Sequence, residues 1–113
     1  MSVAQVPLPI DPLDRHLGAF RRELADAPNR PDDEVADLLT SGYALVLELE
    51  ASYEEAGRHI DDALLVGDDE AVIAAARRQR GMRAAAGALR EELEALAAIH
   101  RLRRGAGGPA AGL

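Results

Sequence analysis

The feature that most constrains the fold is a long stripe of apolar and small residues whose spacings alternate between three and four. This spacing returns to one face of an α-helix at every turn. Pro31 and the three acids after it favour a helix start, because proline fits the first turn and acids suit the positive end of the helix dipole. We predict one helix over about 32–65. The stripe comprises Val35, Leu38, Gly42, Leu45, Leu49, Ser52, Ala56, His59 and Ala63.

The stripe stops at Gly67, and the sequence Gly-Asp-Asp-Glu predicts a reversal there. Glycine suits a helix C-terminus, and Asp68 can cap the helix that follows. A second apolar stripe predicts that this helix spans about 68–104 and folds back antiparallel on the first, so that Tyr53 lies across from Gly81 and Met82. The residues predicted to pack between the two long helices are Leu38, Leu45, Leu49, Met82, Leu89, Leu93 and Leu96.

A shorter helix is predicted before the hairpin, over about 11–27, because Asp11 and Pro12 favour a helix start and apolar residues follow at spacings of four and three. The turn after it is short, which favours an antiparallel neighbour. We expect Phe20 to lie near Leu39 and Tyr43, and Leu13 near Val46 and Leu47. The predicted fold class is all-α: a long antiparallel helical hairpin with a shorter N-terminal helix, resembling a three-helix bundle, which two copies can extend to a four-helix core.

The ends of the chain are predicted to lie outside this single helical domain. Residues 1–10 contain Pro7 and Pro9 and no basic cluster, so we expect a flexible N-terminus and no secretory signal. Residues 105–113 hold four glycines and one proline, which predicts a disordered tail. Without a secretory signal we expect a cytoplasmic protein, and since no uncharged run approaches the roughly 18 residues that cross a bilayer, we expect no transmembrane helix.

Charge is distributed unevenly along the chain, whose formal net charge is −7. An acidic chain of this kind disfavours nucleic acid and anionic membranes as partners. Residues 31–62 hold ten acids and one arginine, whereas residues 63–104 hold six acids and eight arginines, which favours pairing of the two helices. We therefore expect the basic cluster to pair internally, an acidic client being the alternative. The cluster comprises Arg77, Arg78, Arg80, Arg83 and Arg90, and it faces Glu48, Glu50, Glu54 and Glu55.

Catalytic and cofactor chemistry has little support in the sequence. The chain has no cysteine, and it contains no nucleophile elbow, phosphate-binding glycine loop or zinc-protease motif. Its histidines, His16, His59 and His100, are far apart in the predicted hairpin, and only His59 has a nearby acid, Glu55. We predict a non-enzymatic protein with no cofactor and no metal. The alternative is a metal-binding bundle assembled between chains around His59 and Glu55.

The half of the hairpin nearest Gly67 is predicted to lie beyond the cover of the first helix. Apolar residues there lie beside or outside the main stripe, and such clusters favour contact with a partner. Three alternatives remain: these residues seal the turn of a monomer, join two copies, or bind another protein. The predicted partner-binding residues are Tyr53, Ile60, Leu64, Leu65 and Ile73.

The stretch from Leu38 to Leu96 resembles the small helical export chaperones of the bacterial flagellum that serve hook-associated and filament-cap subunits. The likeness lies in a long helix ending in Asp-Asp-Ala-Leu-Leu at 61–65, the turn at 67–70, and the Ala-rich helix that begins at 71. The resemblance implies a non-enzymatic cytoplasmic protein that holds an amphipathic helical segment of a client. The hairpin is also similar to small two-helix substrates of specialised actinobacterial secretion, with Leu65-Val66-Gly67 in place of their Trp-x-Gly turn.

We therefore predict an interaction module, acting as a chaperone or adaptor for a helical client, whose partner is another protein or a second copy. The alternatives are a structural homodimeric bundle, a small secreted helical hairpin, and the inter-chain metal-binding bundle.

Overall fold

A computed structural model describes residues 12–107, which form three α-helices. Helix α1 spans Pro12–Asp26 and is followed by one 3-10 turn, Ala27–Asn29. Helix α2 spans Asp32–Val66 and helix α3 spans Asp69–Gly107. No strand occurs in this range, and the fold is the predicted all-α hairpin with a short first helix.

Helix α3 runs past the predicted end at 104 and includes residues 105–107 of the predicted tail. The rest of that tail, 108–113, and the predicted flexible N-terminus, 1–10, lie outside the described residues.

The antiparallel seam between α2 and α3 contains the most buried side chains of the protein. Leu45 and Leu49 from α2 and Leu89 and Leu93 from α3 each expose 1% or less of their surface. Burying a leucine contributes about 1.5–3 kcal/mol to folding, so these four form the centre of the core. All seven residues predicted to pack between the long helices are buried.

The turn between the long helices is closed by a Schellman motif. Gly67 adopts a φ of 72°, a left-handed conformation that costs other residues about 1–2 kcal/mol. Its N–H donates to the carbonyl of Leu64 (3.3 Å), and the N–H of Asp68 donates to the carbonyl of Ala63 (2.9 Å). The Asp68 carboxylate then accepts the N–H of Ala71 (3.1 Å), so Asp68 caps α3 as predicted.

Helix α1 packs into the seam and not over the outer face of α2. A Cβ placed on Gly42 would lie 2.9 Å from Cζ of Phe20 and 2.4 Å from Cδ2 of Leu93, so the absence of a side chain at residue 42 provides the recess for the Phe20 ring. The expected cover of Tyr43 and Leu47 by α1 is wrong, because Tyr43 is 40% exposed and Leu47 is 66% exposed. Phe20 points inward at Gly42 instead.

The end of the hairpin opposite Gly67 is tied to the turn that follows α1. The guanidinium of Arg103 donates to the carbonyls of Pro28 and Arg30. These carbonyls lie between α1 and α2 and have no helical hydrogen-bonding partner of their own. One side chain of α3 therefore ties this helix to the turn between α1 and α2.

We predict that Gly42→Ala and Gly81→Ala shift stability in opposite directions. Both glycines lie inside helices, so alanine gains about 1 kcal/mol of helix propensity at each. The new methyl group at residue 42 overlaps Leu93 and Phe20, whereas a Cβ on Gly81 meets nothing within 4 Å. Overpacking costs about 1–3 kcal/mol, so Gly42→Ala lowers the thermal midpoint and Gly81→Ala raises it. Thermal unfolding followed by circular dichroism measures both; equal shifts would contradict the proposed packing of Phe20.

Candidate interaction surfaces

The turn at Gly67 leaves a set of large apolar side chains in solvent, which we call the tip surface. It consists of Leu64 (60% exposed), Leu65 (85%), Val66 (78%) and Ile73 (52%). In this last stretch of α2, from 61 to 66, only Ala63 is buried. The tip surface therefore carries four large hydrophobic residues that the described part of the chain does not cover.

The composition of α3 explains why the tip surface is exposed. The first turns of α3 contain alanines at 71, 74, 75 and 76, whose methyl groups cannot reach across to cover Leu64 or Leu65. Helix α1 cannot cover them either, since Pro12 at its start lies beside Ala51 and Glu55, well short of Gly67. Exposed apolar clusters on a soluble domain usually mark a contact with a partner.

The predicted partner-binding residues divide into two groups in the structure. Leu64, Leu65 and Ile73 are exposed and belong to the tip surface. Tyr53 and Ile60 are half-buried, and Tyr53 packs against the hydrophobic core. Val66 also belongs to the tip surface and is not among the predicted residues, although its position immediately before the capping glycine indicates a residue in the last turn of the helix.

A second surface lies along the hairpin between α2 and α3, and we call it the open groove. Tyr53, Met82, Ala86 and Gly87 form its apolar part, and its volume is about 670 Å³. Tyr53 of α2 and Met82 of α3 thus line one groove from opposite sides of the hairpin, as the fold-back at Gly67 predicts. The remaining lining residues are Glu50, Glu54, Arg83 and Arg90.

The open groove and α1 lie on opposite faces of the hairpin. Helix α1 lies beside α2 residues Glu48, Ser52 and Glu55, whereas the open groove uses Glu50 and Glu54. Successive residues of a helix point about 100° apart, so residues 48 and 50 face directions about 200° apart. The open groove is thus the face of the hairpin that α1 leaves uncovered.

The rims of the open groove carry opposite charges. Arg90 of α3 forms an ion pair with Glu50 of α2 at 2.9 Å. Glu54 and Arg83 line the same groove, yet neither forms an ion pair with any residue in 12–107. Glu54 and Arg83, on facing rims, are therefore available to form ion pairs with another molecule.

The basic cluster of α3 pairs internally only in part. Arg90 pairs with Glu50 as expected, and Arg78 contacts the hydroxyl of Ser52 at 3.5 Å. Glu48 and Glu55, which were expected to face arginines, instead lie near His16 and His59, each at 3.8 Å. The helical phase explains this, because Glu48 and Glu55 lie on the α1 side and not on the open groove.

The three histidines lie apart and each stands near a single acid. His59 is 3.8 Å from Glu55, and both are more than half exposed on the surface of α2. His100 lies 3.9 Å from Asp32 at the opposite end of the hairpin. Within residues 12–107 no three His, Asp or Glu side chains group as metal ligands.

Comparison with known protein families, curated proteins and solved structures gives no match for this chain. The tip surface and the open groove are therefore the features from which a function can be proposed. None of the helices described has the length and apolar composition needed to span a bilayer.

We predict that a charge is tolerated on the tip surface and excluded from the seam. Leu65→Arg changes the free energy of unfolding by no more than about 0.5 kcal/mol, because Leu65 is 85% exposed and a cation suits the end of α2. Leu49→Arg puts an unpaired cation at a site with 0% exposure and unfolds the protein. Urea denaturation measures both. A large loss of stability in Leu65→Arg would show that the tip surface serves folding and not contact.

Proposed function

We propose that this protein is a non-catalytic interaction module that holds an amphipathic helix of a partner protein against its tip surface. The observation that supports the proposal best is the exposure of Leu64, Leu65, Val66 and Ile73 at one end of a rigid helical hairpin. Successive helix residues point about 100° apart, so one partner helix meets Leu65 and its nearest exposed neighbours and not all four side chains at once. Burying two such side chains supplies a few kcal/mol at about 25 cal/mol per Å² of apolar area. An amphipathic helix whose apolar side meets these residues is a common recognition mode for exposed helical surfaces.

The turn and the charges around it support a role of the tip surface in binding a partner. The tip surface lies where the Schellman motif fixes the turn, so its residues project from a defined backbone. Residues 61–76 contain five acids and no lysine or arginine, which surrounds the apolar side chains with negative charge. This charge keeps the tip surface soluble without a partner and favours a partner helix with basic flanks.

The resemblance to flagellar export chaperones supports a chaperone or adaptor role within this proposal, since that family is expected to hold helical client segments in the same manner. The cytoplasmic location and the absence of enzymatic activity stay predictions. The inter-chain metal bundle and the secreted hairpin are the competing functions, and neither uses the tip surface.

We predict that the partner contacts Leu65 and not Leu102, a similarly exposed leucine near the opposite end of the hairpin. A photo-crosslinking amino acid replaces Leu65 in one variant and Leu102 in the other, and both are expressed in the native host. Leu102 is the matched control, because it is 73% exposed near the other end of the hairpin. Crosslinks specific to residue 65 should map to one amphipathic helix of a defined protein. The same products from both positions would contradict the proposal.

A peptide of the crosslinked helix then gives a quantitative test. Fluorescence anisotropy should show that Leu65→Arg weakens peptide binding at least tenfold, because the substitution removes apolar contact and introduces a charge at its centre. Leu102→Arg should change the affinity less than twofold. Unchanged binding by Leu65→Arg would remove the tip surface from the contact.

A further inference from the structure

The open groove is an unpartnered face with its own charge pattern, separate from the tip surface. Its apolar part, Tyr53, Met82, Ala86 and Gly87, lies between an acidic rim from α2 and a basic rim from α3. A Cβ on Gly87 would meet nothing within 4 Å, so the groove is open above this residue. Gly42 shows the contrasting case on the other face, where α1 fills the recess with Phe20.

The two long helices carry opposite net charges. Helix α2 contains ten acids and one arginine, whereas α3 contains five acids and eight arginines. An occupant that spans both rims of the groove must therefore be basic where it meets α2 and acidic where it meets α3. A second copy of the hairpin that faces the first places its basic α3 on α2 and its acidic α2 on α3, and so has the required charges.

We propose that the open groove is the interface of a homodimer, in which the grooves of two copies lie face to face about a two-fold axis parallel to the hairpin. This axis places α2 of each copy on α3 of the other, so the acidic helix meets the basic helix twice. A two-fold axis across the hairpin would instead stack α2 on α2 and α3 on α3. The two copies of α2, each with ten acids and one arginine, would then repel along their half of the interface. The charge pattern thus selects one of the two symmetric arrangements.

The interface is isologous, so each contact occurs twice. Glu54 of one copy faces Arg83 of the second copy, and Arg83 faces the Glu54 of that copy. These are the two rim charges without an ion pair within 12–107, and the dimer gives both a partner. Half-buried Tyr53 supplies the apolar contact at the centre, beside Met82, which is already buried within the single chain.

The proposed axis brings both hairpin turns to the same end of the dimer. The tip surfaces of the two copies then lie side by side, and a partner helix laid across them contacts both. The dimer goes beyond the proposed function and does not depend on it, because the charge contacts at Glu54 and Arg83 involve no residue of the tip surface.

Charge reversal tests the pairing directly. Glu54→Arg and Arg83→Glu each place like charges across both contacts, so each variant alone should dimerise at least tenfold more weakly than the wild type in sedimentation velocity at several concentrations. An equimolar mixture of the two variants restores both opposite-charge contacts and should dimerise as the wild type does. The double variant in one chain should also recover. Circular dichroism checks that every variant stays helical.

Matched controls are Arg77→Glu and Glu91→Arg, which reverse exposed charges on α3 that do not line the open groove. Both should leave dimerisation within twofold of the wild type. A wild-type chain that stays monomeric at all concentrations would overturn the proposal. So would a mixture of the two groove variants that stays as weakly associated as each variant alone.

The relative orientation of the copies has a separate readout. The chain has no cysteine, so a spin label on Leu65→Cys occupies a single site per copy. The proposed axis puts the two labels at the same level of the hairpin, within about 30 Å. The alternative axis crosses the groove near Tyr53, twelve residues from Leu65, and separates the labels by about 36 Å along the hairpin in addition to their sideways offset, at 1.5 Å per residue. A short distance in pulsed dipolar spectroscopy supports the proposed axis, and a long distance overturns it.

Discussion

The close packing of leucines between α2 and α3 is the interaction on which every other part of the structure depends. Leu45, Leu49, Leu89 and Leu93 are buried between the two long helices near the middle of the hairpin, and they belong to one core cluster with Phe20 of α1. Helix α1 docks against a seam that already exists, by placing one aromatic ring over Gly42. The tip surface and the open groove are the parts of the long helices that this seam does not use.

The two faces of the hairpin differ in what covers them. One face has a glycine at the seam and receives α1, which adds a third layer of apolar contacts. The other face has a half-buried tyrosine, two charged rims and no cover from residues 12–107. A hairpin built from long helices is only one layer thick without such cover, so the uncovered face is where further association stabilises the molecule most.

Much of the fold was predictable because it depends on local rules. The spacing of apolar residues, the acids at helix starts and the glycine at 67 act through the backbone and immediate neighbours, and they give the hairpin and its turn to within a few residues. The placement of α1 was harder to predict from the sequence, because the recess over Gly42 is formed partly by Leu93, which is distant from it in the chain. Tyr43 and Leu47 were misplaced for this reason.

The candidate surfaces were predictable to a smaller extent. Leu64, Leu65 and Ile73 follow from their distance from α1, and the alanines opposite them can be found in the sequence. The half-buried state of Tyr53 and the free charges of Glu54 and Arg83 depend on the rotation of each helix about its axis, which a stripe of apolar residues defines only coarsely. Neighbouring residues illustrate this: Glu54 lines the open groove, whereas Glu55, one residue later, lies on the side of α1.

Arg103 binds the carbonyls of Pro28 and Arg30, so the two ends of the hairpin are held together by different contacts. One extremity has three helices and a cover of apolar contacts from α1, while the other has two helices and a turn. Fewer buried side chains hold the end at Gly67, where the hydrogen bonds of the turn replace the contacts that α1 supplies at the other end. That less covered end also carries Leu65, the most exposed leucine of residues 12–107.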